Sequence, residues 1–316
     1  MNVPLMTSLV AARRASVRRS GAALATLALL ASAPTLAQVS AAPPCSAAPP
    51  GSGAAAASPE ELSSYVRNIT QSTRFPSDGL ARWRTPICFQ VEGVPENEAG
   101  FVAARLAQVA SCAGAQVRTQ GCAGHAYNFH VIFSLNADQV ARDWYDRHLR
   151  LFNKNASRAQ VEQFLSPPRA GPVRVWHDAM PFGKDGFPLI PLDPGSPSEP
   201  MPYQNFQYDG GSRLTDEAVT GLSFALVIID GRLANGASLA QLTDYAAMVG
   251  LADLDLQANL GADPTILRLF SAPAEARPGG LTSWDEAFLS ALYHTEQRSR
   301  TQRSQITTTM ARNIAP

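Results

Sequence analysis

"TDYAAMVGLADLD" occupies residues 243–255, and the spacing of its apolar side chains decides how the chain around it is read. Upstream, Asn235-Gly236 makes a turn, and Ser238 with Gln241 three residues later forms a capping box. A helix therefore starts near Leu239. Leu242, Tyr245, Ala246, Val249 and Ala252 fall on one face, and Ala240, Ala247, Met248 and Leu251 on the other, with Asp244 among them. A helix that is apolar all round is a buried one. Gly250 is expected to end or bend it by supplying the left-handed residue that helix C-termini commonly use. Asp253 then lies just past the bend.

A buried helix has to be covered by other elements, and the flanking sequence supplies them. "LSFALVIID" (222–230) is a near-continuous apolar strand of the kind found inside a sheet. "VRVWHDAM" (173–180) reads as a strand, and "KDGFPLIPLDPGSPSEPMP" (184–202) has six prolines between Pro188 and Pro202. That density excludes a helix or a central strand and marks a surface loop. Nearer the N-terminus, "SPEELSSYVRNI" (58–69) opens with a Ser-x-x-Glu capping box and reads as a short helix. "RWRTPICFQVEG" (82–93) and "YNFHVIFSL" (127–135) read as strands. Residues 97–115, with Phe101, Ala104, Leu106, Val109 and Cys112 at helical intervals, and residues 137–152 read as the helices between and after them. This β-α-β-α order predicts an α/β (α+β) fold, a mixed sheet with packed helices and a C-terminal helical portion. Residues 58–316 are expected to form a single globular domain.

Residues 1–37 are read as a signal peptide. Arg13, Arg14, Arg18 and Arg19 form a basic start, "GAALATLALLASA" (21–33) is too short to span a bilayer, and "TLA" (35–37) offers small residues for cleavage after Ala37. Residues 38–57, rich in Ala, Pro, Ser and Gly, read as a flexible linker. The expected product is periplasmic or secreted. With 26 basic and 26 acidic residues, nothing points to a nucleic-acid partner. No second long apolar run suggests a membrane span in the mature chain.

Export places Cys45, Cys88, Cys112 and Cys122 in an oxidising compartment, where disulfides persist. Cys112 and Cys122 bracket the short segment "CAGAQVRTQGC", so the expected pairs are Cys112–Cys122 and Cys45–Cys88. The spacings are irregular and contain no CxxC, which argues against a thiol or metal site.

From residue 222 onward, the apolar strand, the Asn-Gly turn and "TDYAAMVGL" with Asp253 beyond it resemble the active helix of zincin-type metallopeptidases. "LRLFSAPAEARPGG" and the segment "LTSWDEAFLSALYHTEQRSRTQRSQITTTMAR" resemble the C-terminal helices of secreted bacterial proteins with zincin-like topology and no established activity. The zincin motif, His-Glu-x-x-His-x-x-Gly-x-x-His, sets two imidazoles one turn apart and a third ligand past the glycine. Here Thr243 and Ala247 hold the two histidine positions, Asp244 the general-base position and Asp253 the third-ligand position. Alanine cannot bind a metal and a threonine hydroxyl is a poor zinc ligand, so the resemblance implies a degenerate, metal-free site and no cofactor. Its implication is a non-catalytic exported protein whose cleft, if anything, binds a peptide or an envelope partner. The rival reading is a hydrolase built on Asp244 and Asp253. The histidines His125, His130, His148, His177 and His294 are dispersed; "WHD" (176–178) could orient an imidazole, but adjacent residues of a strand point apart.

Overall fold

The computed structural model describes residues 57–70, 79–153, 156–168, 171–183, 218–234, 236–297 and 301–314. All lie within one compact unit, Ala42–Pro316. The leader, the linker segment 38–56 with Cys45, and the Pro-rich stretch 184–202 fall outside the described residues. The elements follow in the order α1 (Pro59–Ile69), β1 (Arg82–Trp83), β2 (Phe89–Glu92), α2 (Glu96–Ala113) and β3 (Phe129–Ser134). Next come α3 (Ala137–Arg147), α4 (Leu149–Asn153), α5 (Arg158–Leu165), β4 (Val173–Gly183) and β5 (Ala218–Asp230). The chain then continues into α6 (Leu239–Leu251), α7 (Ser283–His294) and α8 (Gln302–Ile314).

Helices α1, α5, α6 and α7 begin where short polar side chains satisfy free N–H groups of a first turn. Ser58, Ser157, Ser238 and Thr282 each accept from the backbone three residues on, and Glu61, Gln160, Gln241 and Asp285 reach back in complete capping boxes.

Strand β5 is the axis of the sheet. Along one edge it pairs antiparallel with β4 from Ala218 to Ile229. Along the other it pairs in parallel with β1 at Gly221 and Leu222 and with β3 from Ala225 to Asp230, while β2 lies outside β3, also parallel. Burial on both faces explains the apolar run from Phe224 to Ile229 in β5. Ala225, Val227 and Ile229 face a large core with α1, α2, α6, α7 and α8, whereas Leu226 and Ile228 face a smaller one under α3 to α5.

Some boundaries differ from expectation for local reasons. Residues 137–152 form two helices, because the chain leaves helical geometry at His148. Phe101 is exposed. The buried face of α2 is instead Val102, Leu106, Val109, Ala110 and Ala113. The expected C-terminal helical portion includes α8, which is docked with Gln302, Ile306 and Met310 buried.

The expected disulfide pairing is overturned: Cys88 bonds Cys122, not Cys45, and Cys112 does not bond Cys122. The cause is the course of the chain after α2. Ile87 N–H donates to Gln116 O and Arg118 N–H to Ile87 O, so residues 116–118 run parallel beside Ile87 and carry Cys122 to Cys88. Cys112 is also disulfide-bonded. Non-reducing peptide mapping should recover a Cys88–Cys122 peptide and no Cys112–Cys122 peptide. Closing a loop across a separation of 34 residues stabilises the fold by about 4 kcal/mol in the chain-entropy model. Cys88→Ala with Cys122→Ala should lower the unfolding free energy by that order, read by urea titration.

Candidate functional site

Helix α6 is buried from Leu242 to Leu251 without interruption. Its expected left-handed ending at Gly250 is corrected: Gly250 has ordinary helical backbone and the helix runs on to Leu251. Glycine is present for space. A Cβ at this position would lie 2.0 Å from Cζ of Phe129. Phe129 stacks in parallel on Trp83 with centroids 5.8 Å apart, and Trp83 Nε1 donates to Gly250 O at 2.9 Å. The helix end is therefore pressed onto an aromatic pair, and the chain leaves it in extended conformation at Ala252, which bridges to Arg82.

The four residues read from the motif separate into different environments. Thr243 is fully buried and its hydroxyl donates to Leu239 O at 2.7 Å, one turn back. Ala247 is fully buried in the core. The Asp244 carboxylate accepts from Arg105 Nε at 2.7 Å and Nη2 at 3.2 Å, and from Leu281 N–H at 3.0 Å. It thus ties α6 to α2 and to the loop before α7. The fit is close, since a Cβ on Gly280 would lie 2.7 Å from Asp244 Oδ2. Bidentate charge-assisted bonding of this kind fixes a carboxylate in place. It also raises the Arg105 pKa, the hydrogen bond that Arg105 donates to Asp244 being the largest cause. Nearby, burial raises the Glu286 carboxyl while Arg105 opposes it.

Asp253 lies elsewhere, beside a residue that the motif does not contain. His177 of β4 is buried, and its Nδ1 is 3.7 Å from Asp253 Oδ1. That separation is beyond hydrogen-bond length. His177 reaches Asp253 because its register partner is Ala225, which places both on the face of the sheet covered by α6. The "WHD" triplet does not by itself read as a site; the antiparallel pairing of β4 with β5 brings its imidazole to Asp253, and no local pattern encodes that pairing. Asp178, the next residue, accepts from Ser223 Oγ at 3.4 Å instead.

A second carboxylate, Asp285, has no place in the motif. It is completely buried and accepts from five donors: Tyr65 Oη, Thr265 Oγ1, Ile266 N–H, Thr282 N–H and Thr282 Oγ1. Burial outweighs these donors and raises its pKa above the usual carboxyl range. The Thr282-x-x-Asp285 spacing was a visible signal for the cap, but not for the three contacts from distant elements.

Among the described residues no group of three or more His, Cys, Asp or Glu side chains is disposed to hold a metal ion. A shallow concavity of about 530 Å³ lined by Pro86 and residues 116–120 contains neither Asp244 nor Asp253. Compared with protein families, curated proteins and solved structures, the chain matches none of them.

Proposed function

We propose that this chain is an exported, non-catalytic α/β protein carrying a degenerate zincin-type helix, with any activity limited to binding a peptide or an envelope partner. The observation that supports this reading is the engagement of Asp244. A general base has to present a lone pair to water or substrate, and this carboxylate already receives two guanidinium N–H groups and a backbone N–H. Export is supported by the Cys88–Cys122 disulfide, a bond that oxidising compartments preserve. In addition, no helix among the described residues is long and apolar enough to cross a membrane.

The test is elemental analysis of the purified mature protein after growth and dialysis with zinc. No stoichiometric zinc is expected in the wild type. One zinc per chain, lost in Asp253→Ala, would overturn the non-catalytic reading.

The His177–Asp253 proximity favours a second reading, hydrolysis in which Asp253 orients the imidazole and His177 moves the proton. Catalytic hydrogen bonds are often long before substrate binds and tighten in the complex, and a separation of 3.7 Å fits such a substrate-free pair. Turnover of peptide or ester substrates by the wild type, abolished in a folded His177→Ala variant, would favour this reading. A wild type inert to a broad panel would remove it.

A further inference from the structure

His130 projects from β3 toward the smaller helical layer, away from Asp244 and Asp253. Its ring lies 4.9 Å from Trp144 in an edge-on arrangement and 5.4 Å from Phe224. Trp144 is covered on another side by His148, with centroids 4.6 Å apart. Nε2 of His130 is 3.3 Å from Tyr127 O, while Nδ1 is buried without a partner. In the neutral tautomer that donates from Nε2, Nδ1 is a bare lone pair. Protonation would turn it into a buried N–H with nothing to receive it.

We propose that the His130–Trp144–His148 stack is an acid-sensitive latch, holding α3 and the helices after it on the sheet while His130 is neutral and loosening them when it is protonated. The stack sits at the junction of α3 with α4, since His148 is the residue between them. The groups around His130 leave it little electrostatic relief. Gln90 and Leu226 are its register neighbours in the sheet, Phe224 comes from β5, and Trp144 from α3. Among the described residues His148 is the titratable group that acts on it, and charge on His148 opposes charge on His130. Arg147 and Asp143 of α3 are paired with each other.

Burial holds the His130 pKa below the usual imidazole range. For a base depressed in this way, the neutral ring's contribution to stability is complete above the ordinary imidazole value. It is lost as pH falls below that value toward the depressed one. Imidazole chemistry places this window at the acid end of roughly pH 5 to 8.

The test is hydrogen exchange of the mature protein at the two ends of that range, with α8, which has no Asp, Glu or His, as internal reference. In the wild type, acidification should speed α3 exchange, corrected for intrinsic rates, several-fold more than α8 exchange. In His130→Phe, which keeps a ring against Trp144 and Phe224 but cannot titrate, the excess should vanish. Equal acid response of α3 and α8 in the wild type, or an undiminished excess in the folded variant, would overturn the latch. Should the variant fail to fold, direct NMR titration of His130 in the wild type decides. Protonation below the ordinary imidazole range, accompanied by shifts in α3 amides, supports the proposal. Protonation at or above that range, or none of those shifts, refutes it.

Discussion

Replacing Gly250 by alanine is expected to destabilise the protein by about 3 kcal/mol or more, at the upper end of what overpacking a core costs. The added methyl would sit 2.0 Å from Cζ, 2.7 Å from Cε2 and 2.8 Å from Cε1 of Phe129. Phe129 has little room to retreat, because Trp83 stacks on it and Phe89 packs at 5.0 Å. The helical propensity gained by removing a glycine, about 1 kcal/mol, is too small to compensate. Urea titration of Gly250→Ala against wild type reads the difference. Alanine tolerated with little loss of stability would mean that α6 does not press on the aromatic pair, and the helix end would have to be redrawn. Pairing Gly250→Ala with Phe129→Leu should recover part of the loss, which an effect on backbone conformation alone would not allow.

Asp285→Ala is expected to cost about 4 kcal/mol or more, since each buried donor left without an acceptor costs about 1–3 kcal/mol. Five donors from four places in the sequence converge on this carboxylate: Tyr65 on α1, Thr265, Ile266, and the backbone and hydroxyl of Thr282. The loss should therefore spread. Hydrogen exchange ought to rise in α1 and around residue 266 as well as in the first turn of α7. A loss confined to α7 would reduce Asp285 to a helix cap.

The elements legible in the sequence were those whose signal is local. The capping boxes at Ser58 and Ser238 fixed two helix starts, and the apolar run at 222–230 announced a strand buried on both faces. The burial of α6 followed from its lack of a polar face. What could not be read depends on which segments meet. Gly250 looked like a C-terminal turn because glycine serves two purposes, backbone freedom and clearance, and only the approach of Phe129 distinguishes them. The disulfide was misassigned for a similar reason: short spacing favoured Cys112–Cys122, but residues 116–118 pair with Ile87 and move Cys122 away. At the candidate site, the role of Asp244 depends on Arg105, 139 residues earlier, and the neighbour of Asp253 comes from a strand 76 positions upstream, 253 − 177. Side-chain type was legible there, but partnership was not.

The central position of β5 has a consequence for the order in which the molecule can assemble. Three of the other four strands, β1, β3 and β4, hydrogen-bond to β5, yet β5 ends at Asp230, more than two-thirds of the way along the 316-residue chain. The first helix waits longer still, because α8 packs against it and Arg303 donates to both Thr70 Oγ1 and Thr70 O. A chain emerging from its N-terminus therefore lacks the middle of its sheet until late, and cannot seat α1 until α8 is made. Contacts between sequence-distant segments carry the loop-closure entropy that slows folding. The topology itself thus keeps a growing chain open until most of its length has been made.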